Sequence, residues 1–485
     1  MTGITRRRLF GGGLALAGGW LLSACTQPTP SRPFPTVFPS PPRLTPAPGQ
    51  VVVEKTLRAA SITADLGGIE VTTWGYGDTL PGPEIRATAG DLLRLTLDND
   101  LPTDTSIHWH GIALRNAADG VPAMTQEPTG PGQKYLYEFV APDPGTYFFH
   151  SHVGVQLDRG LYAPLIIEDP QEPGGYDAEW VVVLDDWLDG TGRNPDQVLD
   201  TLKSEGANRP GGMGGMDHSK MGNQPFGDAG DVTYPHYLIN GALPTSPVSF
   251  RGQPGQKVRI RIINAAADTI FTLAIGDHAF TVTHSDGFPV RLQQASALYI
   301  GMGERYDITV TLADGVFPLV AKPWGKEGQA MSLLRTASGE APAANVDLME
   351  FQGPVLQGAD LDPDEAVRLP TRQPDVVAPL RLGGQMKPYV WTINDAPFGQ
   401  NSPIDVAQGQ RLQLDVTNAT MMTHPVHVHG HTFALPNGLR KDTVLLPPMG
   451  QMKLDIEATN PGVWAVHCHN IYHAEAGMMI ALRYS

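Results

Sequence analysis

The chain has 485 residues, too many for one hydrophobic core, which implies about two to four domains. Its 54 glycines and 44 prolines favour short strands joined by turns over long helices. A formal net charge of −16 argues against nucleic acid as a partner.

In chain order, residues 1–25 read as a targeting segment rather than structure. Arg6, Arg7 and Arg8 precede an apolar run, LFGGGLALAGGWLL (9–22), too short and glycine-rich to be a convincing membrane span. The LSAC that follows resembles a bacterial lipoprotein signal, in which Cys25 becomes lipidated. TRRRLF resembles a twin-arginine signal, which exports folded proteins. The alternative is a plain cleaved signal with an incidental cysteine. Each reading puts the mature protein in the periplasm or on the outer cell surface, with Cys25 its one link to a membrane. Residues 26–50, TQPTPSRPFPTVFPSPPRLTPAPGQ, read as an extended proline-rich tether. With Cys25 as the anchor, Cys468 is the only remaining thiol, and no intrachain disulfide can form.

The rest of the chain repeats itself. GDLLRLTLDN (90–99), GQKVRIRIIN (255–264) and GQRLQLDVTN (409–418) each run from Gly to Asn through alternating apolar positions. Period-two alternation is a strand with one face buried. Three copies predict an all-β chain of three sandwich domains, over 51–170, 171–350 and 351–485. Nine residues after Asn99 and Asn418 come HWHG (108–111) and HVHG (427–430). GTYFFHSH (145–152) matches GVWAVHCH (462–469) position for position. The middle copy has Leu273-Ala274-Ile275 and GVFPLVAK (315–322) instead, with Val320 and Lys322 in place of histidines. A cofactor shared between the first and third domains follows, with the middle domain as spacer and wall.

Residues i and i+2 of a strand share a face, about 6.6 Å apart. The pairs His108/His110, His150/His152, His427/His429 and His467/His469 therefore each aim two imidazoles one way. Eight imidazoles suit copper, zinc or iron better than calcium or magnesium, which take oxygen ligands. Cys468 lies between His467 and His469 and so points to the opposite face, into a different site. Two imidazoles, a thiolate and a weak thioether make a blue-copper electron-transfer site. Its strong ligands would be His424, Cys468 and His473, and Met478 would be axial. Met479 should point away, into the core.

Together HWHG, YFFHSH, HPVHVHGH and HCHNIYHAEAGMM resemble the ligand signature of the multicopper oxidases, laccase-like enzymes with three cupredoxin-like Greek-key domains. The resemblance spans residues from about 50 to 485 and implies four copper ions. The blue site is the type 1 copper. His108 and His427 match the type 2 ligands. His110, His150 and His469 match one type 3 copper, and His152, His429 and His467 the other. The implied reaction couples one-electron oxidations of phenols, aromatic amines or Cu(I) to reduction of dioxygen to water. Asp119 matches the acidic residue near the cluster. Ala474 stands where several bacterial relatives carry a glutamate, and Glu475, one residue later as in fungal laccases, is the candidate for proton delivery.

Substrate signals are weaker. Met213, Met216 and Met221 surround His218 in a glycine-rich stretch that resembles the methionine-rich segments of copper-resistance oxidases, and thioethers favour Cu(I). Met422 sits two before His424, where cuprous oxidases place a substrate-binding methionine, but Thr420 replaces their aspartate. His431 reads as a spare surface histidine, and His236, His278 and His284 as unremarkable ones. The alternatives to a general oxidase are a dedicated cuprous oxidase and a non-enzymatic copper-sequestering lipoprotein.

Overall fold

The three repeated strands appear as Leu92–Asn99, Lys257–Asn264 and Arg411–Asn418. A computed structural model describes Phe38 and residues 41–172, 174–207 and 225–485. Cys25 and the stretch with Met213, Met216, His218 and Met221 lie outside them. Each repeated strand pairs in parallel with an earlier strand of its own domain: Val52–Asp65, Ala178–Trp187 and Val376–Met386 respectively. Each also pairs antiparallel with a later one: Lys134–Val140, Arg305–Thr311 and Gln451–Glu457.

The terminal asparagine of each repeat has a local job. Asn99, Asn264 and Asn418 accept the amide of the residue two further on through Oδ1. Through Nδ2 they donate to carbonyls about thirty residues further on: Thr129 O, Ile300 O and Leu446 O. The asparagine thus stops the strand and turns the chain toward the opposing sheet, as an Asx turn does.

Among the described residues six sheets result, stacked as three sandwiches, with few helices. Alternating burial holds in the first and third repeats, whereas the middle strand is buried on both faces after Lys257. The reason is docking between domains: Arg261 donates to Thr146 Oγ1 of the first sandwich at 2.9 Å and pairs with Asp307 at 3.2 Å.

The histidine motifs occupy the second sheet of the first and third sandwiches. His108 pairs with His150 across strands His108–His110 and Gly145–His150. His427 pairs with His467 across strands His424–Val428 and Val463–Cys468. In the middle sandwich Val320 pairs with Ala274, not with Leu273 as the spacing implied. That is a shift of one residue, which exchanges the two faces. Ala274 and Val320 pack with Ala297, Met331, Leu333 and Leu348 in a small apolar cluster where the other domains hold imidazoles.

Part of the expected tether is not extended away from the protein. Leu44 donates its amide to Glu138, and Arg94 and Arg115 donate to Leu44 O and Pro42 O. Residues 41–50 therefore lie along the first sandwich, held by its buried Glu138. No helix among the described residues is long and apolar enough to cross a membrane.

Candidate metal centres

All eight expected cluster histidines are buried and converge where the first and third sandwiches meet. His108 stacks on His429 with ring centroids 3.7 Å apart, and His110 stacks on His427 at 3.8 Å. Side-chain nitrogens fall into groups within 4.8 Å of one another: His108, His110 and His427; His110, His150 and His469; His152, His429 and His467.

In most of these rings the two nitrogens are treated differently. One faces a protein acceptor: His108 Nδ1 faces Asp119 O, His150 Nδ1 faces Ser151 O, His427 Nδ1 faces Asp442 O and His467 Nδ1 faces Cys468 O, at 2.8–3.0 Å. The other is orphaned: His108 Nε2, His110 Nδ1, His150 Nε2, His152 Nε2, His427 Nε2 and both His469 nitrogens are buried without a partner. A buried polar atom left unsatisfied costs about 1–3 kcal/mol. Lone pairs that converge while the far N–H groups are anchored are the arrangement of metal-binding histidines. Burial, then neighbouring imidazoles, lower the proton affinity of His150, His152, His429 and His469, and bring His467 down to about 3. They are held neutral, the state that binds a metal.

Asp119 is fully buried and follows a short 3-10 turn, Asn116–Ala118. Both its carboxylate oxygens lie 3.2 Å from His429 Nδ1, and Oδ1 lies 3.2 Å from His108 Nδ1. It orients one histidine from each domain. The turn depends on Gly120 at φ +81°, where a Cβ would stand 1.7 Å from Ile107 O.

The second centre lies on the other side of the same strand. Cys468 Sγ is 3.5 Å from His424 Nδ1 and 3.7 Å from His473 Nδ1, and the two imidazole nitrogens are 3.2 Å apart. All three side chains are buried, and Cys468 is the one free cysteine among the described residues. Burial pushes the thiol above its ordinary range, so a thiolate here needs a cation beside it. Met478 is buried too, and its carbonyl accepts the Cys468 amide at 3.1 Å. Asn470 caps the short helix Ile471–Glu475 that carries His473, accepting the amides of Tyr472 and His473. Met479 packs in a core cluster with Val121, Met124 and Ala465.

A cavity of about 510 Å³ opens between the first and third sandwiches. Its lining includes His152, Asp104 and Glu475, and burial raises the Glu475 carboxyl above its ordinary pKa.

One expectation needs correction. His431 is not a surface residue: it is 4% exposed, with Nδ1 on His429 O and Nε2 2.6 Å from Tyr484 OH. The tight turn at Gly430 folds it back against Trp464. Met422, the candidate Cu(I) contact beside His424, is 2% exposed because residues 227–228 bridge over it. Met421 and Met449 are the exposed methionines there, at 50% and 64%. Sequence reasoning missed Asp442 and Thr443, which stand 3.2 and 3.1 Å from His110 Nε2. It also missed Asp231, whose Oδ2 lies 3.0 Å from His473 Nε2 and accepts from Tyr389 OH. The one sequence signal was the charged run Arg440-Lys441-Asp442 just before the apolar Val444-Leu445-Leu446.

Family models described as multicopper oxidase match residues 59–172, 179–339 and 371–485. The chain is 45% identical to the multicopper oxidase MmcO of Mycobacterium tuberculosis, over 99% of this chain and 96% of that protein. It belongs to the multicopper oxidase family. It is also 28% identical to a copper resistance protein A homolog of Pseudomonas syringae pv. tomato, over 99% of each. Among solved multicopper oxidases, the laccase from Botrytis aclada superposes with a TM-score of 0.73 at 25% identity, covering 92% of this chain and 88% of that one. Fet3p, described as functioning in iron import, has the same fold, with a TM-score of 0.77 at 21% identity over 90% of each chain. The anchored and orphaned nitrogens, with the Cys468 triangle, fit the coppers of this family.

Proposed function

We propose that the protein is an exported oxidase that takes electrons singly from small reductants at the Cys468 centre and passes them to dioxygen at the histidine cluster. The observation that carries this reading is the stretch His467-Cys468-His469. Cys468 belongs to one centre, while its covalent neighbours belong to two groups of the other. His424, Cys468, His473 and Met478 would hold the type 1 copper, and His108 with His427 the type 2 copper. His110, His150 and His469 would hold one type 3 copper, and His152, His429 and His467 the other. Bound copper supplies the electron relay and the four-electron chemistry of dioxygen.

The chain's own residues do the rest. Asp119 fixes the rings of His108 and His429 from behind. Glu475, whose carboxyl burial raises above its ordinary pKa, lines the cavity that reaches His152 and is placed to deliver protons there. Asp231 and Tyr389, their side chains buried, cap His473 Nε2 and keep solvent from the imidazole. The Arg6–Arg8 start and Cys25 support export and lipid anchoring.

A second reading, Cu(I) as the reductant, is favoured by exposed Met421 and Met449. Met449 donates its amide to Thr420 O, and Thr420 Oγ1 stands 2.8 Å from His424 Nε2. Soft thioethers suit Cu(I), and similarity to a copper resistance protein agrees. The test is oxygen uptake with a phenol, an aromatic amine and Cu(I) in turn. Uptake with none of them would overturn the oxidase reading in favour of copper storage. Uptake with Cu(I) whose KM rises in the double variant Met421→Leu, Met449→Leu supports the second reading, and an unchanged KM refutes the role of these methionines.

A further inference from the structure

Among the described residues the middle domain supplies no cluster ligand, yet it touches the cluster. Gly303, at φ +83°, lies so close that a Cβ there would be 2.9 Å from His110 Cε1 and 3.0 Å from His469 Cγ. Two residues on, Arg305 is fully buried and reaches all three domains. Its Nε donates to Thr146 O of the first sandwich at 3.0 Å, and Nη1 to Gly303 O of its own at 3.0 Å. Its Nη1 and Nη2 fork onto the Asp442 carboxylate of the third, at 2.7 and 2.6 Å. Asp442 Oδ1 in turn stands 3.2 Å from His110 Nε2, beside Thr443 Oγ1.

His110 is the odd ring of the cluster. Its orphaned nitrogen is Nδ1, whereas His108, His150, His152 and His427 each leave Nε2 free. An imidazole can flip when the acceptor behind it moves, and a flip here would put Cδ2 at the cluster and Cε1 against Asp442, leaving neither nitrogen in place. A bidentate guanidinium holds a carboxylate in one plane, which a lysine cannot do. We propose that Arg305 is a positioning residue: by clamping Asp442 it fixes His110 with Nδ1 facing the cluster. Gly303 leaves the room for that ring. The domain without ligands therefore sets the orientation of a ligand in another.

This inference rests on the cluster reading above. Its test is copper titration of the full chain and its variants, with copper per chain and the blue absorbance read separately. Arg305→Met and Gly303→Ala should each weaken copper binding at the cluster by about 10–100-fold, the usual effect of losing an outer-shell partner. The blue absorbance per chain should stay at its wild-type level. On an Asp442→Asn background, Arg305→Met should add little further loss, because both act on the same ring. Cluster affinity unchanged in the variants, equal loss at both centres, or fully additive losses would each overturn the proposal. Should Arg305→Met fail to fold, Arg305→Lys decides: it keeps the charge without the fork, so a selective cluster loss supports the clamp and wild-type affinity refutes it. A wild-type chain that takes up only the blue copper would overturn the cluster reading, and this inference with it.

Discussion

The Nε2 atoms of His429 and His467 lie 2.9 Å apart, and neither ring can relieve the contact by itself. His429 Nδ1 faces the Asp119 carboxylate and His467 Nδ1 faces Cys468 O, so both protons sit on the far side. Two lone pairs then oppose each other in a buried site, and a shared cation resolves the repulsion. Removing copper with a chelator should lower the melting temperature. Readdition at a thousand times Kd should restore about 4 kcal/mol per site. Calorimetry on stripped and reloaded protein checks this, and an unchanged melting temperature would count against a metal between these rings.

Cys468→Ser separates the two centres. The variant should lose the blue colour and oxidation of every reductant, because serine replaces the only thiolate donor. The cluster histidines keep their contacts, so most of the remaining copper should stay bound. Metal analysis alongside oxygen uptake reads both. Retained activity would show that electrons enter elsewhere.

Glu475 gives a pH-dependent signature. Burial raises its pKa above the ordinary 4.5, with Lys203 opposing weakly. The folded state therefore holds this proton more tightly than the unfolded chain. The stabilising contribution is complete below pH 4.5 and is lost as pH rises through the raised value. Glu475→Gln should remove that slope, so the variant gains stability relative to wild type as pH increases. If the residue delivers protons, kcat should also fall by about 10²-fold with KM for the reductant unchanged. Parallel rate and unfolding profiles across pH separate the two effects.

Gly120→Ala probes the turn that aims Asp119. A Cβ 1.7 Å from Ile107 O forces backbone movement, at a cost of about 1–3 kcal/mol. Asp119 moves with it, so cluster copper should be lost more readily than blue copper. Normal cluster loading in a destabilised variant would mean that Asp119 tolerates displacement.

What was legible in the sequence was local. An H-x-H pair is set by strand geometry within three residues, and Cys468, His473 and Met478 fall within eleven consecutive positions. The Gly-to-Asn repeats announced three sandwiches because the asparagine closes each strand in the same way. The supporting shell was not legible. Asp442 is 332 residues from His110, Arg305 is 137 from Asp442, and Asp231 is 242 from His473. No spacing rule links such pairs; only docking of the sandwiches brings them together. The shift at Ala274 has a similar cause, since apolar side chains constrain register less sharply than paired histidines do.

The stacking of His108 on His429 and of His110 on His427 has a consequence for the order of events during synthesis. Neither end domain owns a finished copper site of the cluster: each group mixes histidines from both. A half-made chain offers only isolated pairs, which bind weakly and without selection. The cluster therefore cannot be loaded piecemeal, and copper bound tightly there certifies that residues several hundred positions apart have already met. Such a chain is best metallated last, after folding, which is the sequence of steps that export of a folded protein into a copper-containing compartment would impose.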